Sequence, residues 1–187
     1  MPKPHMSAMK QFIVKIVRWL AAPWRKRNHV RYAEPADDGV ERRELPNELF
    51  LPVVAESIAE GHAVIIAVKG YSMRPFLEHL RDKVELSPWT DLQVGDAVLA
   101  EIAKGHFVLH RIVLREGDQL TLRGDGNLRG TEHCTVADVR GVVTKYIRPG
   151  GHILQASDTR LRRRIAIWGS LPAWIRRIGL LIYKATI

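Results

Sequence analysis

The sequence predicts a mainly β fold: a coiled, barrel-like domain flanked by amphipathic helices. Three observations predict it. Six segments rich in Val, Ile, Leu and Thr follow one another between Ala63 and Ile147. Turn pairs such as Gly95-Asp96, Lys104-Gly105 and Gly117-Asp118 separate them at short intervals, as in a meander or small barrel. On either side, apolar residues recur at helical rather than strand spacing.

Residues 1–32 read as a basic amphipathic arm. Phe12, Ile13, Ile16, Val17 and Leu20 form one face of a helix over 9–22, with Gln11, Lys15 and Arg18 opposite, and Pro23 ends it. Residues 33–46 are acidic and turn-rich, and read as a linker. Residues 47–62 suggest a short helix, with Asn47 as its cap and Gly61 as its stop. The β domain takes residues 63–150. Its strands are expected in AVIIAV, KVELSP, DAVLAEI, HFVLHRIVLRE, QLTLRGD and VADVRGVVTKYI. Residues 151–187 return to basic amphipathic helices, with Pro172 splitting them in two.

Charge follows the same division. The 187-residue chain carries a net +9, but Met1–Arg31 holds eight Lys/Arg and no acid, and Arg160–Ile187 holds seven and no acid. The body between them is net acidic, so arguments from basicity apply to the arms alone. Hydrophobic residues make up 46%, enough for a packed core. A single cysteine, Cys134, excludes an internal disulfide and fits a reducing compartment. The stretch MKQFIVKIVRWLAAPWRKR lacks the unbroken apolar region of a secretory signal, and no run approaches the roughly 20 apolar residues that span a bilayer. The expected location is cytoplasmic, with peripheral contact to the inner membrane surface.

The chemistry concentrates in three places. In VKGYSMRPF, Ser72 follows a buried-type strand between Gly70 and Pro75, with Met73 able to anchor the turn in the core. Gly70 allows backbone geometry closed to other residues, and Pro75 restricts Arg74. Alone, this is an ordinary turn serine as readily as a nucleophile. A serine hydroxyl needs a base, and the strand GHFVLHRIV offers one. Alternation puts His110 on the face of Val108 and Ile112, either as a packed core histidine or as an imidazole held for proton transfer near neutral pH. The third place is LRGDGNLRGTE, where Gly124, Asp125, Gly126 and Asn127 read as a hairpin turn or as a support for an active-site loop.

The three motifs together, GYSMRP, then LHR 38 residues on from the serine, then GDGN with its aspartate 15 residues beyond the histidine, resemble the signal peptidase I family and its LexA-like autoprotease relatives. The resemblance covers residues 63–148. It implies a coiled β peptidase domain, with Ser72 as nucleophile and the base at His110, just before Arg111. A histidine there resembles the endoplasmic-reticulum and archaeal-like branch. It also implies an extended substrate with small side chains before the cleaved bond. Gly70, Met73, Pro75, Arg111, Gly124 and Asn127 then shape the substrate and oxyanion loops, with backbone N–H groups holding the oxyanion. The third catalytic position stays open: Asp125 orients the imidazole or holds the loop, Glu132 is a weaker candidate, or Ser72 and His110 act as a dyad.

Other constellations carry less. His106 and His110 stand about 13 Å apart along a strand, too far for one metal, and His133-Cys134 lacks companions. No metal and no cofactor is expected. Nucleic acid is disfavoured, since no DNA-reading module is recognisable and the β region lacks interleaved aromatic and basic residues. Both arms, with Trp19, Trp24, Trp168 and Trp174, suit a membrane surface or simply pack against the β domain. The expected function is a serine endopeptidase cutting a peptide or precursor protein at the membrane surface. The alternatives are a non-proteolytic binder of peptides or partners on the same fold, and a self-cleaving LexA-like regulator.

Overall fold

The computed structural model describes residues 46–185. The N-terminal arm and the linker up to residue 45 lie outside the described residues. Helix α1 spans Asn47–Ala59 and is followed by β1 (Val64–Ala67), β2 (Lys83–Ser87), β3 (Ala97–Ala103), β4 (His106–Glu116) and β5 (Gln119–Arg123). Then come β6 (Glu132–Thr135), β7 (Val139–Arg148), β8 (His152–Gln155), α2 (Thr159–Ser170) and α3 (Ala173–Lys184).

All eight strands form one antiparallel sheet in the order β1-β2-β7-β3-β4-β5-β6, with β8 also paired to β7. The sheet does not close, so the expected barrel-like shape is an open, coiled sheet. Register shifts at Glu85/Leu86, Leu99/Ala100, Glu101/Ala103 and Ile112/Leu114 mark bulges, which add local twist and bend a sheet over itself. Consecutive residues of a strand therefore feed two cores. On β3, Leu99 joins Ile66, Met73, Phe76, Leu86 and Tyr146, while Val98 joins Leu92, Ile112, Leu120, Leu122 and Cys134.

Several boundaries differ from expectation. Pro46 holds the capping position of α1 and Asn47 is already helical, because proline's fixed φ fits the entry to a helix. Val136–Asp138 form a short 3-10 turn, with Asp138 bonding back to the Thr135 N–H, so β7 starts only at Val139. Strands β6 and β8 were not foreseen, and β8 takes the first residues of the segment expected to be wholly helical. Pro172 does divide the C-terminal helices.

Those two helices pack against the sheet. Asp158 caps α2 by accepting from the Leu161 N–H at 2.9 Å. Leu161, Ile165 and Trp168, one face of α2, enter the larger core. On α3 the buried face is Arg176, Gly179 and Tyr183. Burial pushes the Tyr183 phenol up to about 12, with Arg81 opposing the shift. No helix among the described residues is long and apolar enough to cross a membrane.

Candidate active site

The Ser72 turn is built by the chain leaving β1. Val68 and Met73 are buried in the larger core, and Ser72 between them is half-buried. Gly70 sits at φ +99°, where a side chain is strained, and its N–H donates to His79 Nδ1 at 2.9 Å. The Tyr71 and His79 rings lie 5.0 Å apart, and the Arg74 guanidinium stands 4.1 Å from the Tyr71 ring. Arg74 also grips Glu78 with two hydrogen bonds of 2.8 and 2.6 Å. Below them, buried Asp82 accepts from the Glu78 N–H and pairs with Arg148, which also donates to the Phe76 carbonyl. The turn is thus fixed at both ends. The Arg74–Pro75 peptide is cis. The Ser72 N–H donates to no backbone carbonyl among the described residues.

A second loop, residues 124–127, presses directly on this turn. The Gly126 N–H donates to the Ser72 carbonyl at 2.6 Å. A Cβ on Gly124 would stand 2.5 Å from the Ser72 oxygen and 2.9 Å from Ser72 Cβ. Gly124 is needed for this approach, and not for an unusual φ. We expect Gly124→Ala to cost about 1–3 kcal/mol of stability through overpacking. It should also displace the Ser72 turn, cutting Ser72 reactivity. Urea unfolding and labelling by a serine-reactive probe check both, and unchanged stability would contradict the close approach.

The same contact brings Ser72 toward His110. Strand β4 pairs with β5 as Ile112↔Leu122 and Arg111↔Arg123, so one more step of that register sets Gly124 opposite His110. Cross-strand neighbours have Cβ atoms about 5 Å apart. Ser72 Cβ would stand 2.9 Å from a Cβ built on Gly124. No hydrogen bond joins Ser72 to His110 among the described residues.

The acid on the imidazole is Glu132. Its Oε2 lies 2.9 Å from His110 Nδ1. Glu132 on β6 is paired with Leu122 on β5, and β5 is paired with β4, which carries His110. An ionised carboxylate at Nδ1 requires the proton there and leaves Nε2 as the basic nitrogen, the tautomer a general base needs.

Asp125 does not meet the His110 imidazole. Both its oxygens accept from Arg111, at 2.8 and 2.5 Å, and both residues are buried. Burial works against the Arg111 charge, but Asp125 more than offsets it, and the guanidinium pKa is held above its ordinary value. Arg111 also donates to the Gly95 carbonyl at 2.8 Å. Asp125 therefore holds the loop through Arg111, while His110, next to Arg111 on β4, meets Glu132 from β6.

Four contributors were not foreseen. His79 pins Gly70. Tyr146 stands within 3.5 Å of Arg111. Trp168 Nε1 donates to the Asp125 carbonyl at 2.7 Å, and Arg176 donates to the carbonyls of Asp125 at 3.0 Å and Asn127 at 2.7 Å. Helical periodicity marked Trp168 as part of an apolar face, but nothing in it named the covering surface.

The remaining nucleophile candidate is Cys134, whose thiol burial pushes up to about 11, so it stays protonated at neutral pH. Among the described residues, no three His, Cys, Asp or Glu side chains converge to hold a metal ion. Lys104, the nearest upstream lysine, is exposed in the β3–β4 turn. An apolar groove of about 400 Å³ runs along β1, lined by Phe50, Leu51, Ile66, Val68, Phe107 and Leu109. No family model matches the chain, and no curated protein or solved structure matches it either.

Proposed function

We propose that this chain is a serine endopeptidase of the signal peptidase and LexA-like kind, with Ser72 as nucleophile, His110 as base and Glu132 as the acid that orients it. The observation that carries the reading is the His110 Nδ1–Glu132 contact of 2.9 Å, and the close packing of the Gly124 loop on the Ser72 turn supports it.

In this reading, Ser72 Oγ attacks the scissile carbonyl carbon while His110 Nε2 takes the hydroxyl proton. The carbonyl oxygen becomes an oxyanion and is met by the Ser72 N–H, which has no backbone acceptor of its own. The C–N bond then breaks, and His110 gives its proton to the leaving amine. Water attacks the resulting ester with His110 again as base, releasing the acid and restoring Ser72. The substrate lies extended along β1, whose outer edge carries no strand among the described residues. The adjacent groove takes apolar side chains, and the resemblance adds small residues before the cleaved bond.

The test is a comparison of newly formed N-termini in cells carrying the wild type or Ser72→Ala, together with labelling by a fluorophosphonate probe. Termini that vanish in the variant, and labelling confined to Ser72, are the expected results. A folded wild-type chain that never labels between pH 6 and 9 counts for the second reading, a peptide- or partner-binding module. The lack of a Ser72–His110 hydrogen bond favours that reading. A cut confined to the chain itself, before Ala63, indicates the self-cleaving regulator.

A further inference from the structure

Helix α3 turns Arg176, Gly179 and Tyr183 inward and leaves an apolar row outside. Trp174, Ile178 and Leu181 recur at one helical face and are 51%, 37% and 62% exposed. Arg177 and Lys184, both exposed, lie along the same face. Exposed Arg160 and Arg163 extend the charge onto α2, and no acid occurs from Thr159 to the end of the chain. Where this region does use cations internally, Arg162 pairs with Asp96 and Arg176 bonds the site loop.

We propose that this face docks on an anionic lipid surface, with Trp174, Ile178 and Leu181 entering the headgroup boundary and the arginines and Lys184 meeting lipid phosphates. A central apolar row flanked by cations is what a helix lying in the bilayer interface presents, and tryptophan is favoured at that depth. Charge argues against the other occupants. A second copy would set arginine against arginine. The N-terminal arm is as basic as this face, with eight Lys/Arg and no acid in Met1–Arg31. A nucleic acid would find one exposed indole and two aliphatic side chains, which give bases little to stack on.

The face adjoins the Ser72 turn. A shallow cavity of about 240 Å³ is lined by Tyr71, Arg74 and Gly126 from the two site loops and by Arg177, Leu181 and Lys184 from α3. Tyr71, 56% exposed, continues the apolar row toward Ser72. Docking through α3 therefore brings the turn to headgroup level. On the peptidase reading, and only on it, the substrate is a membrane-proximal peptide.

The experiment is co-sedimentation of the full chain with vesicles of equal parts phosphatidylglycerol and phosphatidylcholine, and with phosphatidylcholine alone. We expect binding to the first and little to the second. Ile178→Glu with Leu181→Glu should lower the partition coefficient by about tenfold or more, with an unchanged melting temperature. Trp174→Phe should reduce the fraction of tryptophan emission quenched by brominated lipid, a readout independent of the double variant's folding. The proposal is overturned if the double variant partitions like the wild type, which would assign any binding to residues 1–45. Absence of binding to the anionic vesicles overturns it too. So does a lipid-free dimer that the double variant disperses, which would assign the face to a second copy. None of these readouts depends on peptidase activity.

Discussion

His110→Ala is expected to fold and to lose peptide hydrolysis by about six orders of magnitude, the scale seen when the histidine of a serine triad is removed. Without the imidazole the proposed mechanism has no base, since Glu132 is bonded to Nδ1 and not to the serine. The assay is hydrolysis of a peptide spanning a Ser72-dependent terminus, with fluorophosphonate labelling as a second measure. His110 is buried opposite Val98, so alanine leaves a small cavity, and His110→Asn serves as the volume-matched control. Glu132→Gln should lose about four orders of magnitude, less than His110→Ala, because the amide keeps the geometry but its NH2 donates to Nδ1 and selects the wrong tautomer. Full activity in His110→Ala would remove His110 as the base.

Asp125→Ala is expected to cost about 3–5 kcal/mol, the penalty for leaving a buried charge without its partner. Arg111 is 4% exposed and its fork is filled by both Asp125 oxygens. Domains of this size are stable by only about 5–15 kcal/mol, so the loss would be a large share. Urea unfolding measures it. The double variant Asp125→Ala, Arg111→Met should recover much of the loss, because removing both charges leaves no unpaired ion. A cost below about 1 kcal/mol for the single variant would show that the pair is not the support described. The two experiments separate the acids: Glu132 acts on rate, Asp125 on stability.

The division between those acids marks how far the sequence could be read. Ser72, His110 and the GDGN loop stood out because each is a local pattern: a glycine-proline turn, a polar residue in an apolar alternation, a glycine pair. Which acid meets the imidazole depends on sheet register across β4, β5 and β6, and that register involves a bulge between Ile112 and Leu114. No spacing along the chain encodes it. Strand β6, Glu-His-Cys-Thr, carries little strand character and forms because β5 offers it an edge. The hydrophobic alternation of β1 to β5 and β7 was legible, since it reflects each strand's own two faces. The open sheet was not, because bulges at four junctions set its curvature. The C-terminal helices were legible as amphipathic, while the surface covering their inner face was a matter of tertiary packing.

That packing bears on where the working unit ends. The strand-rich region closes near residue 150, and a boundary drawn there would look natural. Yet the carbonyls of Asp125 and Asn127 take their hydrogen bonds from Trp168 and Arg176, and Trp168 is part of the larger core. A fragment cut at residue 150 would keep Ser72, His110 and Glu132 but strip the back wall from the loop that seats the serine. A piece that keeps these bonds must extend through α3, so the last two helices support the 124–127 loop as much as the strands do.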